Sequence, residues 1–80
     1  MYFTVDLDCL DPSVFPGTGT PEAGGISFMQ LLDAIQKVSA VRVVGADLNE
    51  LAPMLDASGV STAVACKTLR ELLLALHRNK

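Results

Sequence analysis

Asp6 and Asp8 stand two residues apart at the end of the apolar run Tyr2-Phe3-Thr4-Val5. Such a run reads as a β-strand, and the strand period of two puts both carboxylates on one side. Carboxylates aimed at one point repel unless a cation lies between them, and a divalent metal bound through oxygen is the usual remedy. Asp-x-Asp alone also suits a solvated turn, for which Asp11-Pro12 and Pro16-Gly17 supply the residues. Cys9 and Cys66 show neither CxxC nor Cys/His spacing, so no zinc site or disulfide framework is indicated. Both are expected to be small buried hydrophobes, with Cys9 turned by strand alternation away from the aspartates.

The elements that must position these groups follow in a simple order. After the first strand comes a loop over 9–26 rich in Pro, Gly and Thr. Ser27 and Gln30 form a capping box, and Met29, Leu32, Ile35 and Val38 recur at helical spacing, which predicts a helix over 28–38. Residues 41–48 predict a second strand ending near Asp47, in which Gly45 allows a close backbone approach. Val60, Val64, Leu69, Leu72, Leu73 and Leu76 predict an amphipathic helix over about 58–77, capped by Asp56 or Ser58. The order β-α-β-α implies parallel strands in a layered α/β sheet, whose ligands bind beyond the carboxyl ends of the strands. Asp6, Asp8 and Glu50 would then share one rim.

Eighty residues allow one small domain at most, near the size at which a single core barely offsets its conformational entropy. Eight of the nine acids precede residue 57, where only Lys37 and Arg42 oppose them. That imbalance argues against nucleic acid and for a cation, whether metal, amine or guanidinium. The basic residues Lys67, Arg70, Arg78 and Lys80 suit the exposed face and C-terminal end of the last helix. No apolar stretch is long enough for a membrane span and no signal peptide pattern opens the chain, so a cytoplasmic location is expected.

Asp6-Leu-Asp8-Cys-Leu-Asp11-Pro12, then Phe15-Pro-Gly-Thr-Gly-Thr20-Pro-Glu22, Gly24-Gly25, Val44-Gly-Ala-Asp47-Leu-Asn-Glu50 and Gly59-Val-Ser-Thr-Ala together resemble the C-terminal portion of a ureohydrolase of the arginase and agmatinase family. The likeness covers essentially the whole chain, and Gly17 with Glu22 makes it more similar to agmatinases than to arginases proper. It implies a β-α-β-α fragment of a three-layer parallel-sheet fold, with residues 1–80 forming one partial domain. It further implies a manganese pair that activates a bridging hydroxide to attack a guanidinium carbon and release urea. By position, Asp6 would bridge both ions and Asp8 would bind one, while Glu50 and Thr20 would face a guanidino substrate. Leu51-Ala52-Pro53-Met54 departs from relatives, which tend to carry Ser before the Pro.

The family's other metal ligands come from segments N-terminal to this portion, so the manganese site is expected to be incomplete and the chain inactive alone. His77 falls near the end of the last helix, away from the rim. Met1, one residue before the first strand, fits an independently started reading frame or a truncation rather than a proteolytic remnant. Two strands and two helices cannot cover both faces of a parallel sheet, so a homo-oligomer, or a structural module that complements a larger ureohydrolase, is expected. A magnesium phosphotransferase of the haloacid dehalogenase type is disfavoured, because Leu10 occupies the place its motif gives to Thr or Val and no downstream lysine marks a strand end.

Overall fold

Alternating apolar residues carry the chain into β1, Tyr2–Asp6, and the crossover returns it to β2, Gly45–Asn49, in the computed structural model, which describes residues 1–78. The two strands pair in parallel, with Tyr2 opposite Gly45 and Asp6 opposite Asn49. Between them lies α1, Phe28–Val38, and after them α2, Val60–Arg78. Short 3-10 turns occupy Leu7–Cys9 and Pro53–Leu55. This is the α/β arrangement expected from the element order. Lys80 lies outside the described residues.

Helix α1 begins where its capping box dictates: the Gln30 N–H donates to Ser27 Oγ at 3.1 Å and the Ser27 N–H to Gln30 Oε1 at 2.8 Å. Leu31 and Ile35 point from α1 into a core shared with Val5, Leu7, Leu10 and Phe15. Helix α2 starts two residues later than expected. Gly59 takes φ 79°, a left-handed conformation that ends the preceding turn, and Ser58 Oγ accepts the Val60 N–H at 3.2 Å.

Two expectations are corrected here. Residues 41–44 are not strand: the paired ladder of β2 starts at Gly45, opposite Tyr2, and the Val44 N–H donates to the Met1 carbonyl at 2.9 Å just outside it. The stripe expected to bury α2 is also largely misplaced. Ser61, Ala65, Thr68, Leu72 and Ala75 face inward, whereas Val60, Leu69 and Leu73 are exposed and Val64 and Leu76 are half-buried. The inward face is built of small residues because α2 lies close to α1 and to the loop at Gly17. Thr68 satisfies its buried hydroxyl by donating to the Val64 carbonyl at 2.8 Å.

Both helices border the core that Phe3, Val5, Ala46 and Leu48 enter from the sheet. Tyr2, Thr4 and Asp6, at the alternate positions, are exposed. Asp47 organises this second face, accepting from Tyr2 Oη at 2.9 Å and from Asn49 Nδ2 at 2.5 Å. The hydrogen bond to Asp47 pushes the Tyr2 phenol up. Gly45 sits under the Tyr2 ring, which lies 3.0 Å from where a Cβ would be, so the close neighbour is a side-chain ring rather than the backbone expected there.

Candidate metal centre

Asp6 ends β1 and at once caps the 3-10 turn that follows, its Oδ1 accepting the Asp8 N–H at 3.3 Å. The two aspartates therefore converge because the chain curls, not because a strand continues through them. This corrects the alternation argument, and it also places Cys9 in the turn, exposed rather than buried. Cys66, on α2 beside a cleft it shares with Leu48, Leu51 and Leu69, is exposed as well. Desolvation, and then the Asp6 and Asp8 charges, push the Cys9 thiol up, which makes it a poor nucleophile.

Register brings in the third acid. Asn49 pairs with Asp6, so Glu50 is the first residue beyond the rim, and its backbone turns at φ 79°. A glutamate adopts this left-handed conformation only where its surroundings impose it. One carboxylate oxygen from each of Asp6, Asp8 and Glu50 lies within 4.8 Å of the others. Thr20 joins them by donating its hydroxyl to Asp8 Oδ2 at 2.8 Å. All four residues singled out in the sequence thus stand at one rim. Desolvation, then a side-chain hydrogen bond with Asp8 and, less, the Asp8 charge push the Asp6 acid up.

Residues 1–75 match the sequence model of the Arginase family. The chain belongs to the arginase family. Among its relatives, the agmatinase of Halalkalibacterium halodurans is 53% identical over 76 residues, covering 92% of this chain and 26% of that protein. The mitochondrial guanidino acid hydrolase of Homo sapiens is 42% identical over 78 residues, covering 98% of this chain and 22% of the relative. The proclavaminate amidino hydrolase of Streptomyces clavuligerus superposes with a TM-score of 0.92 at 35% identity, over 99% of this chain and 27% of that structure. The arginase-family chain described here thus spans about a quarter of the length of these relatives.

Two further acids, Asp11 and Asp56, organise the loops next to the rim. Asp11 accepts the Gly24 N–H at 2.9 Å and both the N–H and hydroxyl of Ser13, which pull its carboxyl below the usual range. Asp56 accepts the Ser61 N–H at 2.8 Å and its hydroxyl at 2.6 Å, together with the N–H and hydroxyl of Ser58. Hydrogen bonds from Ser58 and Ser61 hold the Asp56 carboxyl far below the usual carboxylate range. Sequence reasoning saw Asp56 as a cap but missed Ser61, whose only sign was its place in the motif Gly59-Val-Ser-Thr-Ala. His77 lies in the last turn of α2, beside a cleft of about 890 Å³ bordered by Val41, Arg42 and Val44.

Proposed function

We propose that this chain is the part of an agmatinase-like hydrolase that carries two manganese-binding carboxylates and the guanidinium-facing residues. The convergence of Asp6, Asp8, Glu50 and Thr20 at one rim, in a chain of the arginase family, carries the reading. An all-oxygen donor set at this spacing suits a hard divalent cation. Asp6 and Asp8 would hold the metal, with Asp6 shared by both ions of a pair. A manganese pair, when bound, supplies a water of lowered pKa and positive charge for a tetrahedral centre. The Glu50 carboxylate pairs with the substrate guanidinium through charge-assisted hydrogen bonds. Thr20, which donates its hydroxyl to Asp8 Oδ2, would lie beside the guanidinium in the substrate pocket. The substrate would be a guanidino compound, cleaved to urea and an amine; no helix among the described residues is long and apolar enough to cross a membrane.

The chain alone is proposed to be inactive. Three carboxylates do not complete a two-metal site, and Asp6 and Glu50 are exposed to solvent, so the rim neither encloses the ions nor excludes water. Assembly is a second part of the proposal, favoured by the exposed leucines Leu69, Leu73 and Leu74 along α2. A homo-oligomer, or complementation of a larger ureohydrolase, would cover them. The test is urea release from agmatine or arginine by the purified chain with added manganese, beside manganese titration followed by electron paramagnetic resonance. Weak binding that is lost in Asp8→Ala, with no urea above background, is expected. Urea release that Asp8→Ala abolishes would overturn the inactivity, and no manganese binding at millimolar concentration would overturn the metal reading.

A further inference from the structure

Gly17 is gripped from both sides. Its N–H donates to Ser61 Oγ at 2.8 Å inside the protein, and its carbonyl accepts the Ala52 N–H at 2.7 Å. Three segments meet in these two bonds: the loop that carries Thr20 three residues on, the loop that left Glu50 two residues earlier, and the first turn of α2. Their approach is close by construction, because a Cβ at Gly17 would lie 2.7 Å from Ser61 Cβ and 3.1 Å from Asp56 Cβ. Ser61 is fully buried, and its single hydroxyl proton is committed to Asp56 Oδ2 at 2.6 Å. The oxygen is thereby left as an acceptor aimed at the Gly17 N–H. Asp56 keeps its charge because Ser58 and Ser61 donate to it, so this direction of the chain of bonds is fixed.

We propose that Ser61, oriented by Asp56, is a positioning residue that clamps the Thr20 segment to the Glu50 segment and so sets where the Glu50 carboxylate stands relative to Asp6 and Asp8. The inference rests on reading the rim as a metal and guanidinium site. The left-handed backbone of Glu50 fits it, since a residue held at φ 79° needs an anchor nearby, and the Ala52 to Gly17 bond is that anchor. Neither Ser61 nor Asp56 approaches the rim acids by any hydrogen bond of the network; they act through Gly17 and Ala52.

Amide exchange and manganese relaxation broadening in the 80-residue chain test this by NMR. In Ser61→Ala the Gly17 and Ala52 amides should exchange at least tenfold faster, while β1 amides such as Val5 keep their protection. Broadening of the Glu50 amide by substoichiometric Mn²⁺ should weaken several-fold relative to that of Asp8. Ser61→Thr keeps the hydroxyl and should restore both. Should Ser61→Ala lose β1 protection altogether, Asp56→Asn decides on the same two readouts. Faster exchange confined to Gly17, with Ala52 and the Glu50 to Asp8 broadening ratio unchanged, would overturn the clamp. Absence of broadening at Asp8 in the unaltered chain would overturn the metal reading instead, a distinct failure because the exchange measurement contains no metal.

Discussion

Replacing Gly25 by Ala tests how the loop behind the aspartates is closed. A Cβ there would lie 2.6 Å from the Asp11 nitrogen, 2.6 Å from the Cys9 carbonyl oxygen and 2.7 Å from the Leu10 carbonyl carbon. These are all backbone atoms, which cannot rotate aside as a side chain can. The segment must withdraw, and in doing so it gives up the Leu10 to Ile26 bridge with its two bonds, Ile26 N–H to Cys9 O at 3.0 Å and Asp11 N–H to Ile26 O at 3.0 Å. At a net worth of about 0.5–1.5 kcal/mol each, their loss costs about 1–3 kcal/mol. At about 0.05–0.15 kcal/mol per residue even an intact domain of 80 residues reaches only about 4–12 kcal/mol, so the effect is a sizeable fraction of the whole. Gly19 is the control: nothing lies within 4 Å of its Cβ position and its φ is outside the left-handed region. Gly19→Ala should therefore change stability by less than about 0.5 kcal/mol. Urea unfolding followed by circular dichroism at fixed protein concentration gives the comparison, with a lower midpoint at unchanged slope expected for Gly25→Ala. Coinciding midpoints for the two variants would refute the close-approach argument.

Asp6→Asn should raise the melting temperature of the metal-free chain at neutral pH, because the folded acid titrates above its usual value and its charge opposes folding. The sign follows from linkage: a raised carboxyl favours the fold below the unfolded value of 3.8, and that contribution is lost as pH rises through the folded one. A lower melting temperature would contradict the shared rim. Asp56 behaves oppositely, its depressed carboxyl contributing stability above 3.8 that is lost as pH falls through the folded value. Asp56→Asn should therefore flatten the acid limb of the stability profile, and an unchanged limb would count against its network. Exposed Leu69, Leu73 and Leu74 predict self-association, seen as sedimentation and melting that depend on concentration; a folded monomer with a melting temperature unchanged on dilution would refute it.

Much of this organisation was legible because it is written in side-chain type. The Ser27 and Gln30 pair announces the start of α1 by the bonds only those side chains make there. The acids at the rim are legible for the same reason. What stayed hidden is written in the absence of side chains or in who the neighbours are. Hydropathy could not tell which stripe of α2 turns inward, since the buried face is Ser61, Ala65, Thr68 and Ala75, chosen for smallness, with Leu72 alone among the larger residues. Nor could it show that β2 is paired only over Gly45–Asn49, because that is set by its register against Tyr2–Asp6 and not by its own composition.

Register joins the legible and the hidden parts. A slip of β2 by one residue would turn Ala46 and Leu48 away from the core, which burial forbids. A slip by two would keep the faces and yet move Glu50 by about 6.6 Å at the strand rise of about 3.3 Å per residue. That displacement exceeds the 4.8 Å that now contains the three carboxylates, so the cluster would dissolve while the core stayed intact. Hydrophobic burial alone does not prevent it. The polar face does: Tyr2 reaches Asp47 at 2.9 Å over a glycine that leaves room for its ring, and the Met1 carbonyl holds the Val44 N–H at 2.9 Å. The exposed contacts of Tyr2, Gly45 and Asp47 thus do for the acidic rim what the core cannot, selecting among registers that bury the same residues.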